Sequence, residues 1–248
     1  KQGPLVRTLD SHVAYYERWA KTWEFQALLK ARPAAGDPAL GRRYIDALMP
    51  MVWTACERED FVADVQAMRR RVVAHIPAGE SERQLKLGPG GLRDVEFAVQ
   101  LLQMVHGRTD ETIRPPTTLS ALARLTERGY VGRDDGSALH EAYVFLRTME
   151  HRLQLRELSR THLMPRTPAG LRILARSSGL ADSGEAIWAR WESVRREVRD
   201  IHTRLFYRPL LSAVARVPGE RLHLGSKAAG DWLRALGFAD PERDRIRR

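Results

Sequence analysis

The stretch KLGPGGLRDVEFAVQLLQMVHG, residues 86–107, places three glycines and a proline directly before a long amphipathic pattern. On a helix with about 100° per residue, residues 92–106 present two separate apolar faces. The first face holds Leu92, Val95, Val99 and Leu102, and the second holds Phe97, Leu101, Met104 and Val105. A helix that is apolar on two sides is mostly buried, and we expect that of this helix.

A narrow polar stripe between the two faces consists of Arg93, Glu96, Gln100 and Gln103. An unpaired polar group costs about 1–3 kcal/mol when it is buried, so these side chains need partners. The stripe therefore predicts either a structural network or the wall of a polar cleft. Asp94 lies away from the stripe in an apolar arc, and the helix dipole alone favours a carboxylate in the first turn.

The loop before this helix is suited to phosphate chemistry. Its glycines, Gly88, Gly90 and Gly91, would let the backbone approach an anion, and the helix N-terminus would direct N–H groups towards it. Lys86 and Arg93 would supply positive charge. The loop matches neither a Walker A motif nor a dinucleotide fingerprint, so a loop that only begins a well-capped structural helix stays open as the alternative.

Helical periodicity dominates the rest of the chain. Helices are predicted at about residues 8–31, 38–49, 59–75, 92–106, 118–128, 137–158, 168–178 and 185–211. A short strand is predicted near residues 84–88. Because a lone strand cannot form a sheet, we expect its partner strands to lie upstream, outside the chain.

The predicted fold class is mainly α, with a helical bundle that follows the C-terminal remnant of an α/β domain. The remnant is expected at residues 1–112, the bundle at 113–217, and the start of a linker to a next domain at 218–248. The first residues lack the apolar core of a signal peptide, and we expect the chain to be a piece of a longer protein.

The composition is that of a soluble protein, with 43% hydrophobic and 29% charged residues and no apolar stretch of membrane-spanning length. The formal net charge is +10, carried by 36 arginines and 5 lysines. The arginines stand among acids at helical spacing, which favours solvated helix faces over a nucleic-acid surface. The single cysteine, Cys56, suits a reducing compartment. We expect a cytoplasmic protein with neither a membrane nor a nucleic acid as partner.

Two other basic segments each allow a purely structural interpretation. The segment WEFQALLKAR ends with Lys30 and Arg32, which could clamp a phosphate or only complement the negative C-terminus of a helix. The segment EHRLQLRELSRTHLMP, residues 150–165, contains His151 and His162 but no nucleophile beside a base. We interpret this second segment as helix surface and bundle packing.

The quoted stretch closely resembles a signature of the bifunctional glutamine synthetase adenylyltransferase/adenylyl-removing enzymes. Its core GPGGLRD is also similar to PII uridylyltransferases, but the continuation EFAVQLLQ favours the first family. The segments YYERWAKTWEFQALLKARPAAGD, FLRTMEHRLQL, RTHLMP and LFYRPLL follow in that family's order, so the resemblance covers nearly the whole chain. Phe25 and the arginine-rich background resemble the actinobacterial version. The segment AAGDWLRALGFADPE resembles the passage after the N-terminal, adenylyl-removing half.

The resemblance implies a nucleotidyltransferase domain followed by a helical bundle. It implies transfer of AMP from ATP to a tyrosine of glutamine synthetase, or removal of that AMP by phosphate as ADP. The PII signal protein is the implied regulator, and Mg²⁺ with ATP, ADP or phosphate are the implied ligands of the full-length enzyme. The implied catalytic residues are Arg93, Asp94 and Glu96, and the implied nucleotide- or phosphate-binding residues are Lys86, Gly88, Gly90, Gly91, Lys30 and Arg32.

The sequence departs from the family's pattern at one motif that matters for activity. The superfamily's G-S-x-x-D-x-D metal motif is absent, since GSALHEA and GSKAAGD do not match it. Nucleotidyl transfer needs metal ions to neutralise the developing phosphoryl charge. We therefore expect the chain alone to be inactive, to supply no metal ligand and to bind no nucleotide tightly. The alternative is a non-enzymatic basic helical module that binds a protein regulator or a nucleic acid.

Overall fold

The computed structural model describes residues 6–58 and 61–215, and these described residues form nine α-helices and no strand. The helices are α1 Leu9–Arg18, α2 Thr22–Leu28, α3 Pro38–Thr54, α4 Phe61–Ala74, α5 Leu92–His106, α6 Thr118–Glu127, α7 Arg133–Glu157, α8 Pro168–Ser178 and α9 Gly184–Ala215. The predicted mainly α fold is confirmed. Within the described ranges, no helix is long and apolar enough to cross a membrane.

Helix α5 separates two hydrophobic clusters and belongs to both. The first cluster unites one face of α5 with α6–α9, and the second unites the other face with α1–α4. The two faces are, respectively, Leu92, Val95, Val99 and Leu102, and Phe97, Leu101, Met104 and Val105. Thirteen of the fifteen residues of α5 are buried, so the two-faced pattern predicted from the sequence is confirmed.

The predicted boundary between residues 112 and 113 stays a prediction. Helix α5 packs on both sides of that boundary, and Phe206 of α9 joins the α1–α4 cluster. The two clusters therefore share one helix and are not separated by a linker. The segment 218–248, predicted as the start of a linker, lies outside the described residues.

The strand predicted near residues 84–88 is wrong for the described part of the chain. Gln84 makes one isolated antiparallel bridge with Leu163, and the chain then turns back onto the start of α5. The first two amides of α5 donate to the carbonyls of Leu85 and Lys86, each at 2.9 Å. Because the segment curls around the helix start, its backbone cannot continue the bridge into a ladder.

The single helix predicted at residues 8–31 is also wrong, since the chain breaks between α1 and α2. Trp19 ends α1, and Ala20 is fully buried at the break. Helix α2 begins directly after the break, because the Glu24 carboxylate accepts a hydrogen bond from the Lys21 amide at 3.1 Å. The apolar spacing runs through this break, so periodicity alone could not reveal it.

Helix α3 runs past its predicted end at about residue 49 and includes Pro50. A proline inside a helix costs about 3 kcal/mol, because it removes one backbone hydrogen bond and crowds the preceding turn. Val52 and Trp53 follow the proline and are buried in the α1–α4 cluster. Burial of these two side chains offsets the cost of the proline.

Candidate functional site

The polar stripe of α5 meets α7 around Glu96. The Glu96 carboxylate accepts hydrogen bonds from Arg147 at 2.6 Å and from the Tyr143 hydroxyl at 3.2 Å. Arg93 Nη1 lies 3.6 Å and Lys30 Nζ 3.9 Å from the same carboxylate. Glu96 is only 4% exposed, so three cations converge on one buried acid.

A second buried acid, Glu150, lies within one turn of Arg147 on α7. Glu150 accepts hydrogen bonds from Arg147 at 2.6 Å and from Lys86 at 3.2 Å, and His162 Nδ1 lies 3.0 Å from it. Burial opposes ionisation of Glu150, but the bond from Arg147 and the charge of Lys86 outweigh it and hold the pKa below its ordinary value. Arg147 thus joins two buried carboxylates.

We call these residues the charged network; its members are Lys30, Lys86, Arg93, Glu96, Tyr143, Arg147, Glu150 and His162. The network holds four Lys and Arg side chains against two carboxylates. The four basic side chains are between 25% and 40% exposed, whereas both acids are buried. An excess of positive charge therefore borders solvent, and such a surface can bind phosphate oxygens.

The pKa values in the network agree with partial burial. Burial lowers the pKa of Lys30, although the charge of Glu96 opposes this. Burial also lowers the pKa of His162, with Lys86 acting in the same direction and Glu150 against it. His162 therefore holds its extra proton less readily than an exposed histidine.

The C-terminal half of the polar stripe is a structural network. Gln26 Nε2 donates to Gln100 Oε1 at 2.8 Å, and Gln103 Nε2 donates to the carbonyls of Ile113 and Pro115 at 2.9 Å each. These contacts tie α5 to α2 and to the loop before α6. The structural network that the sequence offered as one outcome is present at the end of the stripe, whereas the start of the stripe lies at a partly exposed charged surface.

Asp94 lies on the opposite side of α5 and does not join the charged network. Its Oδ2 accepts a hydrogen bond from the Gly90 amide at 2.7 Å, and its Oδ1 lies 2.6 Å from Arg69 Nη2 of α4. His202 Nε2 of α9 lies 3.9 Å from Oδ1. At 1% exposure, Asp94 joins α4, α5 and α9, which favours the structural alternative for this residue.

The amides of the glycine loop point inwards. The Gly90 amide donates to Asp94, the Gly91 amide donates to the Gly88 carbonyl at 3.0 Å, and the first amides of α5 bond to loop carbonyls. Gly90 has a φ of +78°, and a Cβ there would collide with the Arg195 carbonyl of α9. These glycines thus permit close packing, and in this conformation the amides named here are not available to an anion.

The structure brings Lys30, Lys86, Arg93 and Glu96 together but not every predicted site residue. Lys30 reaches the network from the turn that follows α2 and also donates to Thr118 Oγ1 at 3.1 Å. Arg32 is exposed and makes no ion pair or hydrogen bond within the part of the chain that the structure describes. Its predicted phosphate contact rests on the resemblance alone.

Sequence reasoning missed Tyr143, Arg147 and Glu150. Local spacing held one signal, since Arg147 and Glu150 stand three residues apart on a helix and form an ion pair. Such pairs are common on exposed helix faces, so the spacing did not reveal that Glu150 is buried. The burial of Glu150 and its bond to Lys86 from a distant loop arise only in the folded structure.

The described residues do not fit Mg²⁺. Among them, no group of three His, Cys, Asp or Glu side chains is placed to hold a metal ion. The two buried carboxylates of the network are bonded to arginine and lysine. The donor set suits phosphate oxygens instead, because its unshared groups are N–H donors with positive charge.

Two family models match the chain. A family model described as GlnD PII-uridylyltransferase matches residues 61–206, which is more than half of the chain. A model described as glutamate-ammonia ligase adenylyltransferase matches residues 1–47. The chain therefore belongs to the GlnD PII-uridylyltransferase family.

Several curated relatives of the chain are named bifunctional glutamine synthetase adenylyltransferase/adenylyl-removing enzyme. The protein of Streptomyces coelicolor is 61% identical over 242 residues, which cover 97% of the chain and 24% of the relative. The Streptomyces avermitilis protein is 62% identical with the same coverage, and that of Corynebacterium glutamicum is 55% identical over 250 residues, 98% of the chain and 24% of the relative. These relatives confirm the resemblance to the bifunctional glutamine synthetase enzymes that was inferred from the sequence, and the first family model agrees with the similarity of the core GPGGLRD to PII uridylyltransferases. The chain spans about a quarter of the length of these relatives.

Proposed function

We propose that the chain is part of an enzyme that adds AMP to a tyrosine of glutamine synthetase or removes it with phosphate. The observation that carries the proposal is the charged network, in which two buried acids fix four basic side chains at a half-exposed surface. Three relatives at 55–62% identity bear the corresponding name. The same network would serve either direction, because both reactions transfer a negatively charged adenylyl group: from ATP to the tyrosine, with pyrophosphate leaving, or from the tyrosine to phosphate, giving ADP.

In this proposal, Lys30, Lys86 and Arg93 contact phosphate oxygens of ATP, ADP or inorganic phosphate. Glu96 holds Lys30 and Arg93 in place before the ligand arrives, and Glu150 holds Lys86, so the three cations stabilise developing charge without reorganising. Arg147 acts as a positioning residue, because its guanidinium bonds to both buried acids and to the Tyr143 hydroxyl.

The remaining predicted site residues have supporting roles in the proposal. Asp94 binds the Gly90 amide and so keeps the loop on the start of α5, beside Arg93. Gly88 and Gly91 allow the same close packing, since a Cβ on either would collide with a carbonyl of the loop. A phosphate contact by Arg32 is proposed from the resemblance.

Mg²⁺ is proposed for the longer protein only, held by groups other than the described residues. The isolated chain is accordingly proposed to be inactive and to bind ATP or ADP weakly. Glutamine synthetase and the PII signal protein are the proposed partners, and the cytoplasm is the proposed location.

The test uses the full-length enzyme, with residues numbered as in this chain. Arg93→Gln is expected to lower one of the two rates by roughly tenfold or more, because it removes a charge from the phosphate surface. Arg152→Gln is the matched control, since Arg152 is exposed on α7 outside the network. AMP incorporation into glutamine synthetase and phosphate-dependent ADP release are both measured.

The rate that falls identifies the direction that this part of the enzyme catalyses. Unchanged rates in both directions would overturn the proposal. Weaker binding of glutamine synthetase or PII with an unchanged rate at saturation would favour the alternative, a non-enzymatic basic module for a protein regulator or nucleic acid. Release of ADP from adenylylated glutamine synthetase by the isolated chain would contradict its proposed inactivity.

A further inference from the structure

Helix α7 and the residue that ends it carry two stripes of residues at alternating steps of three and four positions. The inner stripe, which is buried in the cluster of α5–α9, is Leu139, Ala142, Leu146, Met149 and Leu153. The outer stripe is Val144, Thr148, His151, Leu155 and Leu158. Alternating steps of three and four keep residues on one face of a helix, and this is the spacing by which two helices pack side by side.

The outer stripe is apolar at the positions where it is most exposed to solvent. Val144 is 44% exposed, Leu155 62% and Leu158 89%. The Thr148 hydroxyl donates to the Val144 carbonyl at 2.9 Å, so this hydroxyl is satisfied within the helix and does not need water. The solvent face of a helix is ordinarily polar, because apolar side chains gain by leaving water. Packing within the described part of the chain does not account for this stripe.

Leu158 also has an unfavourable backbone conformation. Its φ is +48°, and it is the only residue other than glycine with a positive φ among residues 6–58 and 61–215. This left-handed region crowds the Cβ of an L-residue, whereas glycine enters it without strain. An exposed leucine at such a position adds nothing to the core. Strain retained there points to a role outside the fold.

The outer stripe ends at a cavity of about 480 Å³, which its lining shares with the segment after α7. The lining is His151, Gln154, Leu155, Leu158, Ser159 and Arg160, and it includes no acid that the structure describes. In paired helices, each apolar side chain of one seam fits between side chains of the other. The cavity offers such a space. The segment 150–165, interpreted from its sequence as surface and packing, thus forms the end of an open apolar surface.

The charge around the cavity favours an acidic partner. Residues 155–166 hold three arginines against one acid. Arg156 and Arg160 are exposed, and within the described part of the chain neither makes an ion pair. Acids on a partner would complement them. A second copy of the chain would not, because it has the same net charge of +10 and a symmetric contact would bring the same arginines together.

We propose that the outer stripe of α7 is the docking surface for an amphipathic helix of a partner protein. The partner helix has large apolar residues along its seam and acids beside them. The stripe offers about 21 Å of helix, the cavity receives the apolar side chains, and Arg156 and Arg160 pair with the acids. The inference does not rest on the proposed transferase activity and uses no member of the charged network.

The test is fluorescence anisotropy of a labelled helical peptide titrated with the 248-residue chain at constant ionic strength. The acidic probe has about three heptads with leucine at the two seam positions and glutamate on both sides of the seam. Repulsion between glutamates opposes pairing of this probe with itself. The basic probe is identical except that lysine replaces glutamate. The acidic probe is expected to bind at least about tenfold more tightly than the basic probe.

Variants of the chain locate the bound probe. Leu155→Ser is expected to weaken binding of the acidic probe roughly tenfold, because no leucine then leaves water on docking. Leu40→Ser makes the same change at a leucine exposed on α3 and is expected to alter the affinity less than about twofold. Arg160→Gln is expected to weaken binding by about two- to fivefold.

Leu158→Gly separates docking from folding. It removes the apolar side chain and the backbone strain together, so binding is expected to weaken roughly tenfold while the melting temperature stays or rises. A structural role alone for Leu158 would instead lower the melting temperature and leave the affinity of the folded chain unchanged, which would contradict the proposal. Because Leu155 and Leu158 are exposed, their substitution is not expected to unfold the chain.

Three further outcomes would overturn the proposal. Equal affinities for the acidic and basic probes, or no binding of the acidic probe, would exclude an acidic helix as the partner. Equal affinities of Leu155→Ser and Leu40→Ser would place the probe elsewhere on the chain. Sedimentation that shows dimers of the unaltered chain, and monomers of Leu155→Ser, would mean that a second copy covers the stripe.

Discussion

Asp94 and Glu96 stand two residues apart on α5 and are almost equally buried, at 1% and 4% exposure, yet they lie in different environments. Asp94 meets Arg69 and the Gly90 amide in a space closed by α4 and α9. Glu96 meets three cations that are themselves 29–40% exposed. Burial of an acid therefore does not mark the candidate site, whereas exposure of its partners does.

The largest expected loss of stability follows from substitution of Asp94. Asp94→Ala is expected to lower the free energy of unfolding by about 3–5 kcal/mol, because Arg69 keeps a largely buried charge without its partner. Urea unfolding measures the change. Asp135→Ala, which breaks a more exposed pair with Arg204, is the control and is expected to cost less than about 1 kcal/mol. Equal losses in the two variants would remove the structural role assigned to Asp94.

Gly90 gives the next effect, because it packs the loop of Asp94 against α9. Gly90→Ala is expected to cost about 2–4 kcal/mol, from backbone strain and from collision with the Arg195 carbonyl. Gly129→Ala is a matched control, since Gly129 has the same φ of +78° but open space around its Cα. Its cost is expected to be about 1–2 kcal/mol, the strain alone. Equal melting temperatures for the two variants would contradict the tight packing at Gly90.

Lowering the pH should reduce the stability of the chain, because His202, which packs beside Asp94, then gains a proton. Burial lowers the pKa of His202 to about 4, with Arg69 adding to the shift and Asp94 opposing it. Because an unfolded histidine has a pKa of about 6.5, the unfolded chain binds more protons between pH 6.5 and about 4. The contribution of neutral His202 to stability is complete above pH 6.5 and is lost as the pH falls, by up to roughly 3 kcal/mol.

Urea unfolding of the His202→Asn variant at pH 7 and pH 4.5 tests this dependence. The fall in stability between the two pH values should be smaller than in the unaltered chain, because the variant has no proton to bind there. His140→Asn, at an exposed position on α7, should keep the full fall. Identical falls in all three proteins would show that His202 is not the group responsible.

The smallest loss of stability is expected from substitution of Glu96. Glu96→Gln keeps the shape of the side chain and an acceptor for Tyr143, and its cationic partners reach water. The expected loss is about 1–2 kcal/mol in urea unfolding, below that of Asp94→Asn measured in parallel. If Glu96→Gln costs as much as Asp94→Asn, the two sides of α5 do not differ as described.

Much of the fold could be predicted from local patterns. The two apolar faces of α5 follow from the positions of apolar residues along one helix, and tertiary packing only supplied a cluster for each. The break after Trp19 could not be predicted, because the apolar spacing continues across it and Lys21 is not a typical residue before a helix. The strand near residues 84–88 was wrong for a related reason, since a short apolar segment does not reveal what its backbone will bond to.

The candidate site could be predicted only in part. Lys86, Arg93 and Glu96 stood out because they flank the glycine loop, and their position in the charged network agrees with that choice. The same argument assigned the loop amides to an anion, whereas the structure bonds them to Asp94 and to loop carbonyls. A glycine allows close approach of any group, and here the approaching group is the backbone of α9.

The sequence by itself determined that the chain is helical and that α5 is buried on two sides, because both follow from the periodic placement of apolar residues over a few turns. Tertiary structure alone decided which acid meets half-exposed cations. Glu96 bonds to Arg147 across 51 positions and Lys86 to Glu150 across 64, and no local spacing encodes such distant pairs. The difference between the buried surroundings of Asp94 and the partly exposed surroundings of Glu96 is thus a product of packing between helices. Each acid acquires its role from the helix that packs against it.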